Sequence, residues 1–555
     1  MNKLLLLTSI LLSGNLMAQQ TVGLFTKTAA TEEGYVLMAP TSSKTTYLID
    51  KCGKQVHTWT SAYTPGFSAY MLEDGTMLRA GYIPNKIFSL AGTGGVIQRF
   101  DWNSNPIWDF KISSATVCQH HDICYLPNGN VLAIVWELKT DVEAIASGRD
   151  SANMGPDMWP DEIIEYQPIG FNSANIVWEW HAWDHLVQDR DSTKWNYGVI
   201  ADNPGKLDIN HISGTTLNPD WLHVNSVAYN AKLDQIMLSS YYFNEIWIID
   251  HSTTTREARG NTGGNSGKGG EILYRWGNPE IYGRGTTTDR HFFESHDAHW
   301  IPDGYPDAGK IMVFNNGNGR LDGNYSTVEV IQPPVDEHGN YVLKAGFPYG
   351  PVAPEWTYRS SPNVYDFFSP VMGGAERLMN GNTLICEATK GNLFEVNPIG
   401  QIVWDYINPV GIMGATKQGD VPQQNMVFRT RQYAANFLGF KGKSLVAGLP
   451  IETSPIPYKC GSIVPTSIAL NTIIETGLSV ANPFNNAIEV NASKDIVQGQ
   501  AILANMLGVR CGQWPINLKA GQRQRLATSG NLPTGMYILQ FSDGVSKQNI
   551  KLIKE

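Results

Sequence analysis

The chain has 555 residues, more than one compact domain normally holds, with 51 acidic against 41 basic side chains and a formal net charge of -10. That balance, without any run of five or more like charges, gives no footing for a nucleic-acid or anionic-membrane partner. Charged residues are only 17% while 54 Gly, 30 Pro and 16 Trp punctuate the chain, so short strands joined by frequent turns are expected, an all-β protein.

The first residues, Met-Asn-Lys followed by LLLLTSILLSGNL and a small residue at Ala18, read as a secretory signal over 1–18. No later run approaches the roughly 18 apolar residues of a membrane span, so no spanning segment is expected. Export permits disulfides among Cys52, Cys118, Cys124, Cys386, Cys460 and Cys511, and six cysteines leave fifteen connectivities open. Cys118 and Cys124 either close a small loop or remain two buried thiols.

From residue 19 to about 455 two markers recur. One is a slot five residues before an aliphatic residue that opens a Pro-Asn/Asp-Gly turn or its variant. His121 holds it before Leu126-Pro-Asn-Gly129, and His296 before Ile301-Pro-Asp-Gly304. Phe67 holds it before Leu72-Glu-Asp-Gly75, Gly373 before Leu378-Met-Asn-Gly381, and His223 in a looser copy. The other marker is a Trp in an extended segment, found six times, at Trp59, Trp108, Trp178, Trp276, Trp356 and Trp404. Repeats of this length predict a six-bladed β-propeller, with the tryptophans packed between blades and the slots gathered around one axis. Long intervals mark insertions at 181–221, where a short helix is expected, and at 252–270, a Gly/Ser/Thr excursion that lacks the phosphate-loop pattern; such loops are expected to roof one face.

Residues 456–475 read as a linker, and 476–555 as a small antiparallel β-sandwich.

The groups that offer chemistry are His120, His121, His223, His296, His299, Arg320 and Arg377. Converging imidazoles supply nucleophiles and proton carriers, and a guanidinium fork suits an oxyanion. Taken alone, each histidine reads as a hydrogen-bonded structural residue; recurrence in one register singles out His121 and His296. A catalytic metal is the first alternative, opposed by a nearby arginine and by the expectation that adjacent His120 and His121 on a strand point to opposite faces. Arg377 is open between an anion contact and an inter-blade salt bridge. No G-x-S-x-G elbow supports a serine hydrolase, and Asn315–Asn324 reads as a turn.

Several blocks resemble the bacterial arylsulfate sulfotransferase family: His223-Val-Asn225-Ser, His296 before Ile-Pro-Asp-Gly, Val313-Phe-Asn-Asn-Gly-x-x-Arg320, Phe368-Ser-Pro, Gly-Ala-Glu-Arg377-Leu-Met-Asn-Gly, and Leu393-Phe-Glu-Val-Asn-Pro. The resemblance implies an exported six-bladed propeller that passes a sulfuryl group from an aryl sulfate to a phenolic acceptor through a sulfated histidine, without a nucleotide sulfate donor; no cofactor and no metal are expected. It implies catalytic roles for His223, His296 and Arg320, with His121 added from the repeat; Asn225 and Arg377 are expected as substrate contacts, and so are His120 and His299 where they are not structural residues behind the site. The family's sulfated histidine belongs downstream of Arg320, where this chain has only His338 and no histidine near Gly373–Arg377. A surface propeller that binds an anionic ligand, and a metal-dependent hydrolase or lyase, remain the alternatives. The tail, through Asn482-Pro-Phe-Asn, Leu507-Gly-Val and Thr534-Gly-Met-Tyr-Ile-Leu, resembles the sorting domain of the type IX secretion system of Bacteroidetes. That implies the export machinery as partner and a secreted or cell-surface location.

Overall fold

Six antiparallel sheets build the first of two units, which divides from the second at residues 463/464. The computed structural model describes residues 20–212, 218–456, 460, 478–480, 484, 486–505, 510–528, 532, 535–542 and 547–554. The expected signal segment, nearly all of the linker and most of the sorting-domain motifs lie outside the described residues.

Each sheet is a meander whose first strand lies innermost. In sheet order these strands are Val427–Tyr433, Pro65–Met71, Val117–Tyr125, Val224–Asn230, Ser295–Trp300 and Gly374–Arg377, and each touches the next until the sixth meets the first. The arrangement is a closed β-propeller, in which each sheet presents only a short, protected edge to the axis. Alternate strand residues point into the gaps between sheets. Leu78 and Ile97 of the second sheet, for example, share one buried cluster with Ile123 and Ala133 of the third. Each such aliphatic side chain contributes about 1.5–3 kcal/mol by leaving water.

The aliphatic-x-Asn/Asp-Gly repeats form the turns between first and second strands, with Leu72, Leu126 and Leu378 each donating its N–H across the turn. The six marker tryptophans all stand on fourth strands, and each indole N–H is donated to the following sheet. Trp59 reaches Asp101 O, Trp108 Ser173 O, Trp178 Thr253 Oγ1, Trp276 Pro351 O, Trp356 Pro398 O and Trp404 Lys51 O, at 2.8–3.4 Å. The indoles therefore join blades, as the sequence predicts.

Both ends of the unit help close the ring. Val427–Tyr433 pairs with Tyr35–Pro40 to complete the first sheet, and Gly23–Lys27 adds a fifth strand to the sixth. Across the same seam Lys51 and Glu395 form a fully buried ion pair at 2.8 Å, with the Lys51 ammonium 4.1 Å from the Trp404 ring centre. A Cys52–Cys460 disulfide ties the first sheet to the segment after the ring. Cys118, Cys124, Cys386 and Cys511 form no disulfide, so the possible Cys118–Cys124 loop is not formed.

The insertions divide between the two ends of the ring. The 181–221 insertion, which carries one-turn helices at Ala182–His185 and Ile200–Asp202, precedes a first strand and so stands at the histidine end. The 252–270 loop joins third and fourth strands, which places it at the opposite end, and it includes a short helix, Thr255–Ala258, capped by Thr254 and Glu257. It cannot roof the histidines.

In the second unit a three-stranded and a four-stranded sheet enclose a separate core that includes Ile488, Leu526, Ile516, Leu539 and Phe541, the expected sandwich.

The seam pair makes a stability test. Lys51→Met leaves Glu395 buried without its counter-ion, and the expected loss is about 3–5 kcal/mol, read as a lower urea midpoint of the propeller transition.

Candidate active site

The sequence slot corresponds to a break in regular strand pairing near the start of each innermost strand. Phe67, His121, His223 and Gly373 have φ of 90°, 49°, 51° and 109°, and beside His296 it is Asp297 that turns, with φ 55°. Pairing registers shift next to these positions on the second, third, fourth and fifth sheets. A bulge re-aims the side chain it carries. Here it turns successive slots toward the axis.

Six aromatic rings consequently close a loop around the axis. Ring-centre distances are 5.5 Å for Phe67–His121, 4.5 Å for His121–His223, 5.1 Å for His223–Tyr241, 5.5 Å for Tyr241–His296, 6.2 Å for His296–Phe428 and 5.1 Å for Phe428–Phe67. Tyr242 flanks His223 at 5.1 Å. The ring offers apolar faces for a planar ligand and three imidazoles for its polar group.

Each imidazole has a different partner, and the partners divide them in charge. His223 Nδ1 donates to Asp220, whose other oxygen accepts from Trp136 Nε1 at 3.1 Å. Burial alone would lower the His223 pKa, but the Asp220 carboxylate, with Asp161 and Glu294 farther off, raises it above its ordinary value. Asp220 ends the 181–221 insertion, and the sequence reading did not single it out. His296 Nδ1 lies 2.7 Å from Asn316 Oδ1, while the Asn316 amide donates to Ser369 O and Met372 O at 2.7 and 2.6 Å. Those two carbonyls orient the amide, so His296 carries its proton on Nδ1 and keeps a lone pair on Nε2. Burial pushes its pKa down to about 3. His121 is also held neutral, mainly by burial and by the neighbouring imidazoles and Arg429.

His120 and His121 do not point apart as alternation predicts. The turn at His121 brings their Nδ1 atoms within 2.8 Å, with His120 stacked on Trp136 at 3.9 Å. His120 Nε2 lies 2.6 Å from Asp161 Oδ1, at an angle that leaves both atoms without a regular hydrogen bond. The ring of His121 is covered by the backbone of Gly92, where a Cβ would come within 2.0 Å of it.

Beneath the aromatic ring lies Arg429, buried on the innermost strand of the first sheet. Its guanidinium meets Asp122 at 2.7 Å, Asp297 at 3.2 Å, Tyr70 Oη at 3.1 Å and Asn225 O at 3.0 Å. Burial would raise the Asp297 carboxyl, but Arg429 and Arg431 hold it well below the usual range. This arginine is the cation closest in its effect on His121 and His296 and went unnoticed in the sequence, although Val427-Phe-Arg429-Thr-Arg431 repeats basic residues with strand spacing.

The remaining expected residues fall elsewhere. Arg320 donates to Tyr325 O at 3.1 Å and Thr327 Oγ1 at 2.8 Å and stacks between Phe293 and Tyr325. Those partners belong to its own blade. His299 bonds Asp297 O at 2.8 Å and lines a cavity of about 760 Å³ at the other mouth of the channel, with Glu376 and Arg431. Arg377 pairs with Asp307 of the preceding blade at 3.1 Å, the salt-bridge alternative. Asn225 donates to Ser295 O at 2.8 Å, and its Oδ1 is buried without a partner. His338 stands in an exposed turn. At Gly373 a Cβ would lie 2.7 Å from the Phe314 ring, so that slot holds no side chain.

The arylsulfotransferase (ASST) family profile matches residues 24–418. An arylsulfate sulfotransferase from Lelliottia amnigena is 29% identical over 355 residues, 58% of this chain and 55% of that protein. One from Escherichia coli is 24% identical over 349 residues, 57% and 54% of the two chains. The chain thus spans about half the length of the curated relatives it matches. Among solved structures, a Bacteroides caccae protein of unknown function aligns over 72% of this chain and 99% of its own, with a TM-score of 0.38 and 11% identity. Among the described residues no helix is long and apolar enough to cross a membrane. On the match to more than half its length, this chain belongs to the arylsulfotransferase family.

Proposed function

We propose that the axial ring transfers a sulfuryl group from an aryl sulfate to a phenol, with His296 as nucleophile and His223 as proton carrier. The observation that carries this is the different setting of two imidazoles in one aromatic ring: His223 Nδ1 is paired with Asp220, which raises its pKa, while His296 Nδ1 faces Asn316 Oδ1 and burial holds that ring neutral. The Nε2 lone pair forms a bond to sulfur as the sulfur–oxygen ester bond breaks, and the leaving phenolate takes the proton of His223. A second phenol then returns a proton to His223 and attacks sulfur, and the nitrogen–sulfur bond breaks. In-line displacement needs nucleophile and acid on opposite sides of sulfur. His121, its ring centre 4.5 Å from that of His223, is too near the acid for that place and is assigned to contact the sulfuryl oxygens. Arg429 supplies the field beneath, since Asp122 and Asp297 fix its charge at the axis.

The Cys52–Cys460 disulfide suits an oxidising compartment, which supports export. We assign the sandwich to type IX sorting, so that a chain without residues 476–555, expressed in a Bacteroidetes host, stays inside the outer membrane.

Exposure of the purified protein to 4-nitrophenyl sulfate tests the nucleophile. Phenol-dependent nitrophenol release is expected, with a sulfate-sized adduct mapping to His296 and absent in His296→Asn. An adduct on His121 would reassign the nucleophile, and neither release nor adduct would leave the binding propeller as the better account.

The proton carrier has its own signature. His223→Gln should slow transfer from phenyl sulfate by about 10²–10⁴-fold and transfer from 4-nitrophenyl sulfate much less, since nitrophenolate leaves unaided. Because the folded pKa of His223 is raised, its imidazolium persists above the ordinary value of about 6.5, and kcat/KM for phenyl sulfate should fall as pH rises through that raised value. The stabilisation from the Asp220 pair follows the same sign, full below about 6.5 and lost above the raised pKa. Asp220→Asn should move the fall in kcat/KM to lower pH; equal losses with both donors and an unmoved profile would remove His223 from proton transfer.

A further inference from the structure

Outside the channel, three metal-ligating side chains meet on the third sheet. Glu137 ends the strand Val131–Glu137, Glu162 is the second residue of the next strand, Asp161–Ile169, and His181 ends Ser173–His181 directly across from Glu162. One ligand atom from each lies within 4.8 Å of the others. His181 Nδ1 is 3.2 Å from Glu162 Oε2 and 3.5 Å from Glu137 Oε1. Both carboxylates are at least nine-tenths buried, and Oε1 of each is without a hydrogen-bond partner.

Two buried carboxylate oxygens left without donors are costly unless something positive sits between them. A proton on His181 Nδ1 donates in one direction and still leaves Glu162 Oε1 unserved. Lys139 does not fill the gap either, since its ammonium holds the other oxygen of Glu137, at 2.7 Å, and leaves Oε1 facing the cluster.

We propose that Glu137, Glu162 and His181 form a binding site for a divalent cation of the zinc class. One imidazole nitrogen and two carboxylate oxygens are a ligand set that zinc accepts with a fourth position left to water. Around zinc such atoms stand about 3.4 Å apart; His181 already lies 3.2 and 3.5 Å from the two carboxylates, and rotation of a Glu side chain sets the spacing between them. The site has a structural consequence for the channel. Trp136 and Asp161, which flank His120, pair across the same two strands and immediately adjoin Glu137 and Glu162 in sequence. A bound cation clamps the strand ends that support the imidazole pair.

The full-length protein, stripped with EDTA and desalted, is loaded with Zn²⁺ and assayed for retained metal and unfolding temperature, with Co²⁺ as a spectroscopic probe. The expected result is about one retained equivalent, a raised unfolding temperature and a Co²⁺ absorption band of low coordination number. Glu162→Gln and His181→Gln should each weaken Zn²⁺ binding by at least about 100-fold, with the near-ultraviolet circular dichroism of the metal-free protein unchanged, while His223→Gln retains the metal. No retained zinc in the wild type, full retention in both site variants, or loss in His223→Gln instead overturns the proposal. Because none of these readouts is sulfuryl transfer, the site stands or falls apart from that reading.

Discussion

The axis of this propeller is built around one buried guanidinium. Arg429 reaches Asp122, Asp297, Tyr70 and the backbone of Asn225, so the first sheet is bound at its inner edge to the second, third, fourth and fifth. Such a cation is tolerable so far from water only because its partners are ionised or dipolar, and Asp297 remains ionised only because Arg429 and Arg431 are beside it. Burial of any one member depends on the others. The aromatic ring of the candidate site rests on this plug, which excludes water from below and keeps His121 and His296 neutral.

The seam between the first and sixth sheets follows the same logic on the outside of the ring. Lys51 is fully buried against Glu395, its ammonium over Trp404, while Trp404 donates to the Lys51 carbonyl. The other five indole bonds repeat the Trp404 bond around the ring, but only this seam also carries the closing strand, the buried ion pair and the nearby disulfide. That concentration is physically reasonable, because the seam is where the two ends of the propeller unit meet.

Much of this was legible in the sequence because it repeats. Six tryptophans at fourth strands and four slots before Gly-containing turns, with a looser fifth at His223, are periodic signals, and periodicity survives divergence in the residues between. What could not be read is what depends on backbone turns or on partners distant in sequence. The bulge at His121 puts His120 and His121 on one side, contrary to strand alternation. Asp220 was lost in an insertion, and Arg429 in a strand that looked only like a closing piece. Arg320 carried the family pattern, and in the fold two of its five N–H groups go to Tyr325 and Thr327 of its own blade.

Gly373 shows how the repeat bears on the chemistry. The slots of a propeller are related by a rotation about the axis, so an imidazole in any of them addresses nearly the same central volume from a different side. The sixth slot offers none here, and Phe314 leaves no room for one. The third, fourth and fifth slots do offer imidazoles, each given its character by a partner outside the slot: His120, Asp220 or Asn316. A transfer reaction needs one bare nitrogen and one donated proton facing a common point, and that requirement is met by the partners rather than by any one slot. On this view the position of the reactive histidine can change between relatives while the reaction is kept, provided that the residue behind the new histidine fixes its proton on the far nitrogen, as Asn316 does for His296.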